Sequence, residues 1–107
     1  MLESLEKMLA KGVDNSLLRF GLGDACLKDG DAAQAALHLA QATVQQPGYS
    51  AAWKLLGKAL HQLGRQDEAQ AAWTTGVTVA QQQGDLQAVK EMMVFLKRLQ
   101  KQQQAAE

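Results

Sequence analysis

Cysteine, proline and aromatic residues are scarce in this 107-residue chain: Cys 1, Pro 1, Trp 2, Phe 2 and Tyr 1. A lone Cys26 cannot close an internal disulfide, which suits a reducing compartment. Thin β-branched and aromatic content argues against strands, while abundant Ala, Leu and Gln favour helices. Surplus charge is missing too, because Lys+Arg 11 balances Asp+Glu 11, so the basic footprint of a nucleic-acid binder is lacking. The nearest basic group, Lys97, Arg98 and Lys101, is expected to complement the dipole at a helix C-terminus. No stretch approaches the roughly 18 consecutive apolar residues of a membrane span. Glu3, Glu6 and Lys7 interrupt the opening segment, which therefore does not read as a secretory leader. The expectation is one soluble, cytoplasmic domain with neither nucleic acid nor membrane as partner.

Catalytic inventory is lacking as well. His38 and His61 fall in separate segments with no ligand-like spacing to Cys or carboxylates, so no metal site is expected. Cys26 has no sequence-local base and reads as a small core hydrophobe. Asp29-Gly30-Asp31 is too short for a calcium loop, and Ala33 offers no side-chain oxygen at the next ligand position. Gly21 and Gly23 sit inside a helical segment and form no phosphate loop. No catalytic residue, cofactor or enzyme activity is expected.

What the chain does contain is a repeat. Leu22-Gly23 recurs 34 residues later as Leu56-Gly57, and the same shift carries Gly30 onto Gly64, Ala35 onto Ala69 and Leu39 onto Trp73. The punctuation fits helical hairpins. Asp14 or Asn15 can cap a helix running to about residue 29, and Gly30 supplies a left-handed stop. Asp31 with Gln34 makes a capping-box pattern for the next helix. Pro47 ends that helix, Ser50 is a candidate cap for another reaching residue 63, and Gly64 stops it. A fourth long helix spans about 66–82, and Gly84-Asp85 opens a last one reaching about 100. Leu2, Leu5, Met8 and Leu9 mark a short first helix, six in all. The glutamine-rich end from residue 100 lacks an apolar stripe and is expected to fray.

Trp53, Leu56, Gly57, Leu60, Gly64, Ala69 and Trp73 resemble the motif of the tetratricopeptide repeat. The first copy supplies Leu22, Gly23, Cys26, Gly30, Ala35, Leu39, Ala42 and Pro47. Arg19 stands where the motif has Trp, and Gly76 and Gln81 replace its closing Ala and Pro in the second copy. The resemblance implies an all-α fold, a right-handed superhelical array of antiparallel α-hairpins with a capping helix. Its parts would be a partial repeat (1–13), two repeats (16–49 and 50–83), a cap helix (84–103) and a frayed tail (104–107). In this register Gly57 is expected to face Ala69, as Gly23 faces Ala35, letting the paired backbones approach.

Function follows from the same resemblance, which implies a concave groove binding a peptide or partner helix. Its geometry places Leu17, Phe20, Gly21, Asp24 and Lys28 of the first repeat on that groove. From the second it places Ala51, Lys54, Leu55, Lys58 and Gln62. Lys54, Lys58 and Gln62 also share a face by their four-residue spacing, giving a short basic ridge. In the last helix Leu86, Val89, Met93 and Leu96 form one apolar stripe, and Ala88, Met92, Phe95 and Leu99 a second. One stripe would suffice for a cap. The second is therefore expected to line the groove through Met92 and Phe95, to drive homodimerisation, or to be buried more deeply against the fourth helix. The expected partner is a protein segment with apolar anchors and an acidic residue. Relatives that clamp a C-terminal carboxylate use Lys, Asn and Arg where this chain has Phe20, Asp24, Leu55, Asp85 and Val89, so that specialisation is not expected.

Overall fold

The computed structural model describes residues 1–105, which form six helices and no strand. In chain order these are α1 (Leu2–Ala10), α2 (Ser16–Lys28), α3 (Ala32–Gln45), α4 (Ser50–Gln62), α5 (Gln66–Gln83) and α6 (Leu86–Ala105). Helices α2 with α3 and α4 with α5 are antiparallel hairpins stacked side by side, and α6 closes the second. α1 packs against α2 alone. Helices α2, α4 and α6 touch one another in sequence, whereas α3 and α5 do not meet. The array therefore curls with α2, α4 and α6 on its inner side.

Local chemistry sets the boundaries. Asn15 caps α2, its side-chain oxygen accepting from the Leu18 N–H at 2.9 Å, and Asp31 does the same for Gln34 at 3.1 Å. Gly30, Gly64 and Gly84 end helices at φ +81°, +76° and +72°, a conformation that side chains disfavour. Ser50 is not the cap expected from its position. It is the first residue of α4, buried, and its hydroxyl donates to Asp85 Oδ2 at 3.1 Å. The other oxygen of Asp85 accepts from the Ala88 N–H at 3.1 Å. One carboxylate thus caps α6 and ties its start to the start of α4.

The end of α6 departs from expectation. Instead of fraying from residue 100, it continues through Ala105, because Gln, Lys and Ala propagate a helix well without an apolar stripe. Ala106 and Glu107 of the expected frayed tail lie outside the described residues. Lys97 and Arg98 accordingly stand well inside the helix, and no base occupies its last turn.

Inside the hairpins, the glycines of the repeat face large side chains, not the expected alanines. A Cβ on Gly57 would collide with the Trp73 indole, and one on Gly23 with the Leu39 side chain. Ala35 and Ala69 are fully buried in the core, but the atoms nearest to the two glycines belong to Leu39 and Trp73. The bare backbone at Gly57 lets the indole N–H of Trp73 reach the Lys54 carbonyl at 3.0 Å, which satisfies a donor on a ring only 3% exposed. Gly76 is a third close approach. The Met92 sulfur lies 2.5 Å, and the Trp53 Cβ 2.9 Å, from where its Cβ would be. That close approach is the physical reason for the departure at Gly76.

Candidate binding groove

Trp73 organises the inner face of the second hairpin. Its ring lies 5.2 Å from that of Phe95 on α6 and 5.9 Å from the imidazole of His61 on α4, both tilted. The Lys58 ammonium sits 5.1 Å from the Phe95 centroid, a cation–π contact that holds the charge at the mouth of the site. Between α4 and α6 these side chains bound a cleft of about 400 Å³, with Gln62, Arg98, Leu99 and Gln102 completing its lining. Its floor is aromatic and aliphatic, its rim cationic and amide-bearing, and no carboxylate lines it. His61 Nδ1–H donates to Gln66 Oε1 at 2.6 Å, which fixes the imidazole against Trp73.

Lys58, Gln62 and Phe95 thus line one cleft, but the rest of the candidate set is dispersed. Met92 is fully buried, with its sulfur against Gly76, and cannot touch a partner. Ala88 and Leu99 are buried and Phe95 half-buried, so this stripe is the inward one and leaves no free face for homodimerisation. The other stripe is the more open one: Leu86 is 66% and Met93 46% exposed, while Val89 and Leu96 are partly buried against the core. The half-circumference of apolar surface on α6 was legible, but the wheel alone could not say which half faced the hairpin.

The basic ridge is shortened in the same way. Lys54 donates to Glu91 Oε2 at 2.9 Å, and that hydrogen bond holds the Glu91 carboxyl below its ordinary range. Lys58 remains, joined by Arg98 from α6. Asp24 pairs with Lys28 at 3.0 Å and lines a different cleft, beside α1. Phe20 is half-buried and stacks on Tyr49, with centroids 4.9 Å apart. Leu17 stays 71% exposed. Arg98, His61 and Gln102 were missed by motif reasoning, although Phe95, Arg98 and Gln102 follow the helical spacing of one face.

Comparison with known families agrees with the fold. Residues 27–93 match a model described as a tetratricopeptide repeat, and residues 2–50 match a second of the same description. The chain belongs to the tetratricopeptide repeat family. A TPR repeat-containing protein of Pseudomonas aeruginosa is 58% identical to it over 99 residues, which span 92% of this chain and 94% of the relative. Among solved structures, a solution structure of a protein from Bordetella parapertussis superposes with a TM-score of 0.83 at 46% identity, covering 95% of this chain and 89% of that one. A tetratricopeptide repeat domain protein from Salinibacter ruber shares the fold, with a TM-score of 0.76 at 23% identity over 81% of this chain and 97% of its own. No described helix of this tetratricopeptide repeat chain is long and apolar enough to cross a membrane.

Proposed function

We propose that the chain is a non-catalytic interaction module, a cytoplasmic adaptor or scaffold. It would capture an acidic peptide or partner helix on its inner face. The observation that carries this reading is the cleft between α4 and α6, with an aromatic floor under two cations that make no ion pair among the described residues. An apolar anchor of the partner would lie over Phe95, while its carboxylate would meet Lys58 and Arg98, with Gln62 and Gln102 offering amide hydrogen bonds. Trp73 supports the floor from beneath, and the Lys54–Glu91 pair fixes α6 against α4. Family membership supports the general role, since tetratricopeptide repeat domains bind protein partners.

The test is affinity capture from native cells, followed by direct binding of the captured segment to two variants. Lys58→Ala with Phe95→Ala removes one cation and the floor. Lys58→Glu with Arg98→Glu reverses the rim and keeps the aromatic floor, at the loss of the Lys58–Phe95 cation–π contact. Each is expected to weaken binding by about tenfold or more, because truncating or reversing a partly desolvated charge partner costs on the order of 2 kcal/mol. Unchanged affinity in the charge-reversed variant would remove the cleft from the mechanism.

A further inference from the structure

We propose that this protein associates head to tail with a second copy of itself, α1 of one chain lying along the open face of α6 of the next. The array begins with a helix of the second-in-hairpin type and ends with one of the first-in-hairpin type, and among the described residues neither has its hairpin mate. A hairpin assembled from α6 of one copy and α1 of another supplies both.

Both surfaces are open, and their geometry matches. A cleft between α1 and α2 is lined by Met1, Leu2, Glu3 and Glu6 from one side and by Asp24, Ala25, Lys28 and Asp29 from the other, with Lys28 paired to Asp24. It flanks α1 and α2, where a preceding first-type helix would lie. At the opposite end, a groove of about 560 Å³ between α5 and α6 is lined by Met93, Leu96 and Lys97 with Gln70 and Thr74. That groove borders the α6 face along which a following second-type helix would lie. Solenoid ends ordinarily carry polar caps, yet here Met1 is 94%, Met8 44%, Leu86 66% and Met93 46% exposed.

Charge selects the pairing. On α6, Lys90, Lys97 and Lys101 fall within about 80° of Met93 around the helix, and no acidic residue shares that arc. On the α1 side Glu3, Glu6 and Asp29 face the cleft. None of these six makes an ion pair among the described residues. Basic meets acidic when α6 meets α1, whereas two α6 faces repel. The contact is heterologous, so it continues from copy to copy instead of stopping at a symmetric dimer.

Sedimentation or light scattering of the full chain from micromolar to millimolar concentration tests this. The average mass is expected to rise past that of a dimer. Glu3→Lys with Glu6→Lys, and separately Lys90→Glu with Lys97→Glu, alter only exposed residues, and circular dichroism checks that each stays helical. Each variant alone is expected to associate at least about tenfold more weakly, because like charges then face each other. Mixing the two restores opposite charges at every junction and is expected to restore association. A chain that stays monomeric to millimolar concentration overturns the proposal. So does an α1 variant that associates like the parent, which would indicate an α6–α6 contact, or a mixture that fails to recover.

Discussion

At position 19 the first hairpin carries arginine where the second, 34 residues on, carries Trp53, and the two side chains hold the same corner with opposite chemistry. The Trp53 indole N–H donates to the Pro47 carbonyl at 2.8 Å, a single bond from a largely apolar ring. Arg19 instead donates from Nε and Nη2 to the two oxygens of Asp14 at 2.8 and 2.9 Å. It also donates from Nη1 to His38 Nδ1 at 3.1 Å. Because guanidinium can only donate, that last bond requires a neutral imidazole with its proton on Nε2. Gln45 adds a bond to Asp14 at 2.8 Å. The first repeat is thus closed by a charged, partly exposed network, and the second by an aromatic cluster continuous with the cleft. The difference separates roles. Polar closure stabilises a terminal hairpin without offering a binding floor, whereas Trp73, Phe95 and His61 stabilise the second hairpin and shape its inner face together.

Breaking the aromatic side of the comparison has the largest expected effect. Trp73→Ala should cost about 3–5 kcal/mol, through the cavity it leaves and the loss of its bond to the Lys54 carbonyl. Leu39→Ala, at the equivalent site, should lie toward the lower end of about 2–5 kcal/mol. Thermal or denaturant unfolding compares the two. A larger loss at Leu39 would place the main core in the first hairpin.

The repeat glycines sharpen the same contrast. Gly57→Ala gains up to about 1 kcal/mol of helix propensity, yet drives a methyl into an indole anchored by its hydrogen bond. We expect a net loss of about 1–3 kcal/mol. Gly23→Ala meets a Leu39 side chain that can change rotamer, and should lose less. Equal melting shifts for both would mean that the indole is not held as described. Below these in size, Asp85→Ala should cost about 0.5–2 kcal/mol by uncapping α6 and freeing the buried Ser50 hydroxyl.

The smallest effect is confined to the first repeat. Folding lowers the pKa of His38 below its ordinary 6.5, chiefly by burial and then by the Arg19 charge, with Glu6 and Asp14 opposing. A base with a lowered folded pKa binds fewer protons folded than unfolded. Its contribution to stability is therefore intact above pH 6.5 and lost as the pH falls toward and through the folded value. His38→Gln should flatten that slope in denaturation midpoints measured across the window. A slope unchanged in the variant would assign the pH dependence to other groups.

Much of the fold was legible because repeat spacing, left-handed glycines and cap residues are local signals. Leu22, Gly23, Leu56 and Gly57 gave the register, and Gly30, Gly64 and Gly84 gave the ends of helices. What was not legible depends on which face turns inward and on contacts between distant residues. A helical wheel shows two stripes on α6 but not that Met92 fills the space beside Gly76. Motif spacing shows Gly57 near the second helix but not that the Trp73 indole is its nearest neighbour. Lys54 read as a free groove cation because its partner, Glu91, lies in another repeat.

The most direct test of the interaction account is a ¹H–¹⁵N titration of the chain with the captured partner segment, following every backbone amide. The account predicts the largest shifts around Lys58, Gln62, Phe95, Arg98 and Gln102, with the outward faces of α3 and α5 unmoved and the response diminished by added salt. Shifts centred on α3 and α5, or saturation unchanged by salt, would contradict capture in the cationic, aromatic cleft.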